Sequence, residues 1–337
     1  MEHFSALASH VRAELSKIII GQRSVVDQLL LVLVCDGHAV IEGVPGLAKT
    51  LAVKSLAGIC GLTFHRVQCT PDLMPADITG TNIFNLADST FHLRRGPVFT
   101  DILLVDEINR TPPRTQAALL EAMEERQVTI DGVCYPLPEN FTVLATQNPI
   151  EFEGTYPLPE AQLDRFLFKI RIDYPSAEEE VEIISRFDKG FDPRRLGQIA
   201  LTPLGPTMLS DARREIESVR VEPTLYSYVV DVIRRTRDWP ALALGASPRA
   251  AVGLFFVARA MAAMDGRDYL LPDDIKAAAL PVLRHRVLLK PEADMEGLTA
   301  DQVIRQVLDS VAVPRVMEPA ATAPDIPSPT ASDITGR

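Results

Sequence analysis

Two stretches of this 337-residue chain combine residue types at spacings that can do phosphate chemistry. The first is Gly43-Val44-Pro45-Gly46-Leu47-Ala48-Lys49-Thr50, a glycine-bearing turn between a short apolar run, residues 38–42, and a helical pattern reaching about Cys60. In that setting the backbone N–H groups of the turn and of the helix start point at one anion. Lys49 is placed to neutralise β- and γ-phosphates, and Thr50 to offer its hydroxyl to Mg2+. Ala48 stands where such loops usually carry glycine. Alanine suits the position only with negative φ, since a left-handed alanine costs about 1–2 kcal/mol. The plainer alternative is an ordinary Gly/Pro turn whose Lys and Thr face solvent.

The second stretch, Asp101-Ile102-Leu103-Leu104-Val105-Asp106-Glu107, is an apolar strand closed by two carboxylates. Ligands of open parallel sheets bind at that C-terminal edge. Asp106 can hold a metal there through water, and Glu107 can orient and activate a nucleophilic water. Acids often mark a strand exit for no catalytic reason, so neither motif decides alone; on one sheet, together, they point to nucleotide hydrolysis. Ala145-Thr146-Gln147-Asn148 ends a further strand, from which Asn148 can reach the same water or the γ-phosphate. Followed by Pro149, Asn148 reads equally as a turn starter.

The elements that must position these residues alternate. Strand-like runs at 38–42, 63–68, 102–106, 141–146 and 166–172 are separated by helical patterns such as Gln116, Ala117, Leu119, Leu120 and Met123. Buried strands alternating with helices predict an α/β fold with a parallel sheet covered on both faces. The first 35 residues read as helix, interrupted at Gly21-Gln22, and Val25 to Leu33 reads as a core stripe. Residues 81–91 look like an inserted β-structure, and Asp131-Gly132 between Val128-Thr129-Ile130 and Val133-Cys134-Tyr135 is a hairpin signal. From Ser176, which with Glu179 forms a capping box, strands stop and helical patterns fill 210–219, 224–237, 250–264, 273–283 and 299–310. The expected organisation is therefore a nucleotide-binding core at 1–175, an all-α domain at 176–313 and a disordered proline-rich tail at 314–337.

Composition excludes other classes. Hydrophobic residues at 47% and charged residues at 23% describe a cored globular protein. No apolar run approaches membrane-spanning length and the N-terminus lacks a signal peptide, so a cytoplasmic protein is expected. A net charge of −11 opposes indiscriminate binding to nucleic acid. Cys35, Cys60, Cys69 and Cys134 lie far apart and read as buried small apolar residues, not a disulfide frame or zinc site. His65 and His92 read as packed, Glu178-Glu179-Glu180 as a helix-start acidic run, and Arg234, Arg235 and Arg237 as a solvated basic face.

These residues resemble the AAA+ ATPases, and within them the MoxR group. The resemblance rests on Ile20-Gly21-Gln22, on Glu42 to Thr50, on Val105-Asp106-Glu107-Ile108-Asn109-Arg110, and on Ala145 to Pro149 continuing through Gly154-Thr155-Tyr156-Pro157-Leu158-Pro159-Glu160-Ala161-Gln162-Leu163-Asp164-Arg165-Phe166. It spans about residues 4 to 313, and alanine before the loop lysine is usual in that group. It implies a P-loop αβα sandwich with a five-stranded parallel sheet and β-hairpin inserts, a helical lid, and a homo-oligomeric, typically hexameric, ring with ATP and Mg2+ at each interface. It assigns sensor 1 to Asn148, the arginine finger to Arg165 and sensor 2 to Arg249. On spacing alone, Arg165 reads as a strand-end arginine paired with Asp164 or Glu160, and Arg249 as a solvent-facing residue on a helix capped by Ser247-Pro248. The resemblance further implies chaperone-like remodelling in which hydrolysis changes the core–lid angle. It also implies maturation of, or cofactor or metal insertion into, protein complexes with a von Willebrand factor A domain partner. The competing expectations are a DNA-acting AAA+ motor, a magnesium-chelatase-like ATPase subunit and a non-hydrolysing nucleotide-gated scaffold.

Overall fold

The computed structural model describes residues 2–44, 46–87, 89–149, 155–192, 199, 201–205 and 207–314. Helices α1 (Glu2–Ser16) and α2 (Arg23–Val34) come first, parted at Gly21-Gln22, where both residues take left-handed φ of 66° and 54°. β1 (Ala39–Glu42), α3 (Lys49–Ile59) and β2 (Phe64–Gln68) follow, then the short α4 (Pro75–Thr79) and a hairpin of β3 (Gly80–Asn85) and β4 (Thr90–Arg95). β5 (Ile102–Asp106) leads through a 3-10 turn at Ile108–Arg110 into α5 (Pro113–Glu125). A second hairpin, β6 (Gln127–Ile130) and β7 (Val133–Pro136), precedes β8 (Thr142–Gln147), α6 (Glu160–Leu163) and β9 (Phe168–Arg171).

Five strands form one parallel sheet in the order β2-β5-β8-β1-β9. Alternate side chains leave it on opposite faces. Ala39, Ile41, Ile102, Leu104, Leu144, Phe168 and Ile170 join one apolar cluster, while Val40, Val67, Leu103, Val105, Val143 and Ala145 join another. A period of two with both faces covered is why the strands read as unbroken apolar runs. α1, α2 and α3 cover the first face; α5 covers the second through Leu119, Leu120 and Met123. The strand order sets the exits of β1, β8, β5 and β2 side by side, and those exits carry the residues capable of chemistry.

Both inserts are hairpins. Asp131 and Gly132 take φ of 50° and 82°, the left-handed pair a two-residue turn requires. Asn82 of the first hairpin donates to Asp131 Oδ2 of the second at 2.7 Å, tying the two together.

The remainder is α7 (Ala177–Asp188), α8 (Met208–Ser218), α9 (Pro223–Arg237), β10 (Leu242–Leu244), α10 (Pro248–Met264), α11 (Pro272–Leu283), β11 (Leu288–Leu289), α12 (Pro291–Met295) and α13 (Ala300–Ser310). Ser176 and Glu179 close the expected capping box on α7. The expectation that strands end at Ser176 meets one exception: β10 and β11 pair antiparallel. The apolar cluster does not stop at the end of the sheet. Phe4, Leu30 and Ile41 belong to the same cluster as Ile216, Val232, Leu254 and Ile275, so the lid helices share the core of the first half. The tail expected to be disordered begins at Pro314, and residues 315–337 lie outside the described residues.

Two bland expectations need correction. His65 and His92 are exposed, hydrogen-bonded to Pro97 O and to Thr90 Oγ1; the packed histidines are His38 and His285. Of the four free cysteines only Cys69 is buried outright, where burial pushes its thiol up to about 11; Cys134 is exposed on β7. Arg234, Arg235 and Arg237 are exposed as expected, with Arg235 stacked on Trp239 at 5.1 Å and Arg237 donating to Ala246 O. Among the described residues, no helix is long and apolar enough to cross a membrane.

Candidate active site

The loop after β1 builds a cradle. Gly43 is pressed against β9's exit: a Cβ there would sit 2.8 Å from Ile172 O. Gly46 takes φ of 89°, open to glycine and strained for any other residue. Ala48 takes φ of 55° and ψ of 21°, so the expectation of negative φ is overturned. The loop must turn left-handed to aim the first amides of α3 into the cleft, and alanine bears about 1–2 kcal/mol of local strain. Ala48 gives α3 no side-chain cap, leaving its first N–H groups to a ligand. Val44 and Leu47 complete the described loop, and Pro45 lies outside the described residues. Lys49 Nζ donates to Gly43 O at 2.6 Å. Burial lowers its pKa from the usual lysine value, an effect opposed by Asp106 and Glu107.

The two β5 carboxylates sit opposite. Asp106 Oδ1 accepts from Thr146 Oγ1 at 2.9 Å; Oδ2 accepts from Arg66 Nε at 2.6 Å and Thr50 Oγ1 at 3.4 Å. Glu107 is itself left-handed, at φ 60° and ψ 51°, and its N–H donates to Thr146 Oγ1 at 2.9 Å. Its Oε2 accepts from Gln68 Nε2 at 3.0 Å and lies 3.1 Å from Arg110 Nε. A left-handed backbone held by three neighbours fixes where that carboxylate sits. Asn148, buried where β8 ends, lines the same cleft.

The cleft measures about 550 Å³ and has two ends. One is polar, with Lys49, Thr50, Asp106, Glu107 and Asn148; the other is apolar, between Ile18–Ile20 and Ile183, Phe187 and Phe191. An apolar slot beside an anion cradle has the outline of a nucleotide. The hard oxygen donors of Thr50 and Asp106, next to Lys49, suit Mg2+ shared with phosphates.

The structure does not bring Arg165 or Arg249 to this cleft, nor pair Arg165 with Asp164 or Glu160. Both arginines instead meet Glu124, near the end of α5: Arg165 Nη2 lies 2.9 Å from Oε2 and Arg249 Nη2 lies 3.5 Å from Oε1. The residues beside them are locked. Ser247 caps α10 and donates to Asp164 Oδ2 at 2.9 Å, while Arg286 Nε donates to Asp164 Oδ1 at 2.8 Å. Arg286 also donates to the carbonyls of Asp164, Phe166, Leu167 and Val282, and burial pulls its pKa down to about 10. Thus Asp164 fastens the turn between α6 and β9 that carries Arg165 to the helix that carries Arg249.

Sequence reasoning missed Arg66, Gln68, Thr146 and Glu124. The signal for the first two was a polar pair two residues apart on a strand, which places both side chains on one face beside β5.

Residues 38–168 match the family described as ATPase family associated with various cellular activities (AAA), and residues 234–307 match the AAA lid domain. The chain is 46% identical over 315 residues to Chaperone MoxR1 of Mycobacterium tuberculosis, covering 90% of this chain and 81% of that one. It belongs to the MoxR family of AAA+ ATPases. It is also 43% identical over 304 residues to YeaC of Bacillus subtilis, covering 89% and 92% of the two chains. A crystal structure of a protein from Cytophaga hutchinsonii superposes with a TM-score of 0.84 at 41% identity, covering 93% of this chain and 96% of that one. Family and geometry agree on an AAA+ core with a helical lid and on a cleft suited to a nucleotide.

Proposed function

We propose that this MoxR-family chain is a Mg2+-dependent ATPase that works as a ring and remodels partner proteins. In this reading the backbone N–H groups of residues 46–50 and Lys49 would bind the phosphates, while Thr50 and Asp106 would hold Mg2+, Asp106 through water. Bound there, Mg2+ supplies charge neutralisation across the phosphate oxygens. Glu107 orients the attacking water and takes its proton, and its fixed left-handed backbone keeps that carboxylate aimed. Asn148 donates to the water or to the γ-phosphate from the β8 end.

The observation that carries the ring is the Glu124 fork. Two arginines suited to a transition-state charge are gathered on one carboxylate, and neither lines its own cleft. Their use is in a neighbour's site, where an arginine finger can be worth about 10³–10⁵ in rate. The shared apolar core does not favour a lid that swings as one body. α7 has no buried residue, its Arg186 donates to the carbonyls of Ser16 and Lys17, and Ile183 and Phe187 wall the cleft, so in this reading it is the lid element that responds to nucleotide. A protein client is suggested by kinship with a named chaperone; a von Willebrand factor A domain partner and cofactor or metal insertion are suggested by the family resemblance.

Mixing tests the reading. Glu107→Gln and Arg165→Ala proteins should each lose hydrolysis while still binding nucleotide. An equal mixture should recover about a quarter of wild-type activity, since half of the sites keep Glu107 and half of their neighbours keep Arg165. A mixture as inactive as its components would refute completion in trans.

A further inference from the structure

Asp106 already has a cation. Arg66 rises from β2, the edge strand beside β5, and its Nε donates to Asp106 Oδ2 at 2.6 Å. That oxygen is also the one facing the Thr50 hydroxyl, at 3.4 Å, whereas Oδ1 is occupied by the Thr146 hydroxyl. The Asp106 side chain is only 10% exposed and that of Arg66 is 48% exposed, so the acid is fixed and the guanidinium sits on a long stem at the cleft wall. The same guanidinium donates through Nη2 to Gln68 Oε1 at 2.8 Å, turning the amide so that Nε2 faces Glu107. One edge-strand arginine thereby touches Asp106 directly and sets, through Gln68, the hydrogen bond made to Glu107.

On the reading of this cleft as a Mg2+–nucleotide site, Oδ2, the oxygen on the Thr50 side, is the one that would meet the metal's water shell. A guanidinium and a hydrated divalent cation compete for it, because two positive charges crowded on one carboxylate oxygen repel. We propose that Arg66 is a displaceable counter-ion of Asp106, a positioning residue that competes with Mg2+ for Oδ2 and must let go before the metal–nucleotide complex seats. Its half-exposed side chain makes this feasible: leaving Asp106 returns the guanidinium to water or turns it towards the phosphates, and neither strands a charge in the core. The exchange makes nucleotide affinity less dependent on Mg2+ than it would be with Asp106 unpaired. It also supplies a positive charge against two adjacent carboxylates when no metal is there.

The test uses the full chain and ADP, so that no turnover is involved. ADP affinity is measured in Mg2+ and in EDTA for wild type, Arg66→Met and Arg66→Lys. The dissociation constant in EDTA divided by that in Mg2+ should rise about fivefold in Arg66→Met, the worth of a half-exposed charge pair, because the metal no longer has a competitor. Arg66→Lys should fall between, since an ammonium cannot hold Asp106 and Gln68 together. It carries the test by itself if the methionine variant does not fold. Mg2+ alone, without nucleotide, should raise the melting temperature of Arg66→Met more than that of wild type. An unchanged or smaller ratio in both variants would overturn the proposal and leave Arg66–Asp106 a structural ion pair. Wild type that binds ADP with no Mg2+ dependence, or Asp106→Asn that keeps the wild-type dependence, would instead overturn the reading of the cleft on which the proposal rests.

Discussion

Acid should destabilise this chain through His38, and the size of the effect follows from two hydrogen bonds. The buried ring accepts the Val143 N–H at Nδ1, 2.9 Å away, and meets Met123 O at Nε2, 3.1 Å away. Those partners require the neutral tautomer with its proton on Nε2, because Nδ1 must offer a lone pair. Burial pulls the pKa down to about 4, against about 6.5 in an unfolded chain. Since the folded value is the lower one, the unfolded chain binds more protons between the two. Stability is therefore intact above about pH 6.5 and is lost as pH falls towards 4. Between about pH 7 and about pH 4.5 the loss from this one ring comes to about 2 kcal/mol. Urea unfolding of wild type and His38→Gln at both pH values measures it. Carboxylates and His285 contribute to both proteins and cancel in the comparison, so the wild type should lose about 2 kcal/mol more than the variant. Equal losses would refute the assignment of a neutral, doubly bonded His38. The consequence reaches the arginine fork, because Met123 immediately precedes Glu124 on α5.

Ala48→Gly should stabilise the fold by about 0.5–1 kcal/mol, the relief of left-handed strain less the added entropy of the unfolded chain, read as a shifted urea midpoint at constant slope. Glu124→Gln should lower kcat of the assembled protein about tenfold while leaving the KM for ATP in place, because it loosens both arginines and touches no wall of the cleft. Steady-state kinetics separates the two constants. Arg286→Met should cost about 3–5 kcal/mol, leaving Asp164 unpaired beside a buried methionine, and calorimetric or chemical unfolding will report it.

How much of this was legible in the sequence depended on chain distance. Gly43 to Thr50 and Asp106-Glu107 could be found because each packs its chemistry into a few consecutive residues next to a strand. The Arg66–Asp106 and Thr146–Asp106 contacts each join residues 40 positions apart, and they exist only because the strand order places β2 and β8 on either side of β5. Nothing local announces that order. The fork on Glu124 joins α5 to residues 41 and 125 positions later, so an acid on an amphipathic helix gave no hint of its two partners. Ala48 was legible as an unusual residue but not as a left-handed one, since φ is set by the amides it must aim. β10 and β11, three and two residues long, are too short for any periodicity to register.

The core that runs unbroken from α1 to α11 also sets a timetable for synthesis. Glu215 of α8 accepts the Phe4 N–H from 211 residues away, and Arg12 of α1 reaches Met264 Sδ at the end of α10. At about 5–20 residues per second, the outer face of the first helix waits roughly 10–40 s on the ribosome before its partners emerge. Until then the Phe4 N–H lacks its Glu215 acceptor and Arg12 its Met264 contact. A chain of this family thus begins life with part of its core unpartnered, and any fragment ending near residue 175 would stay so.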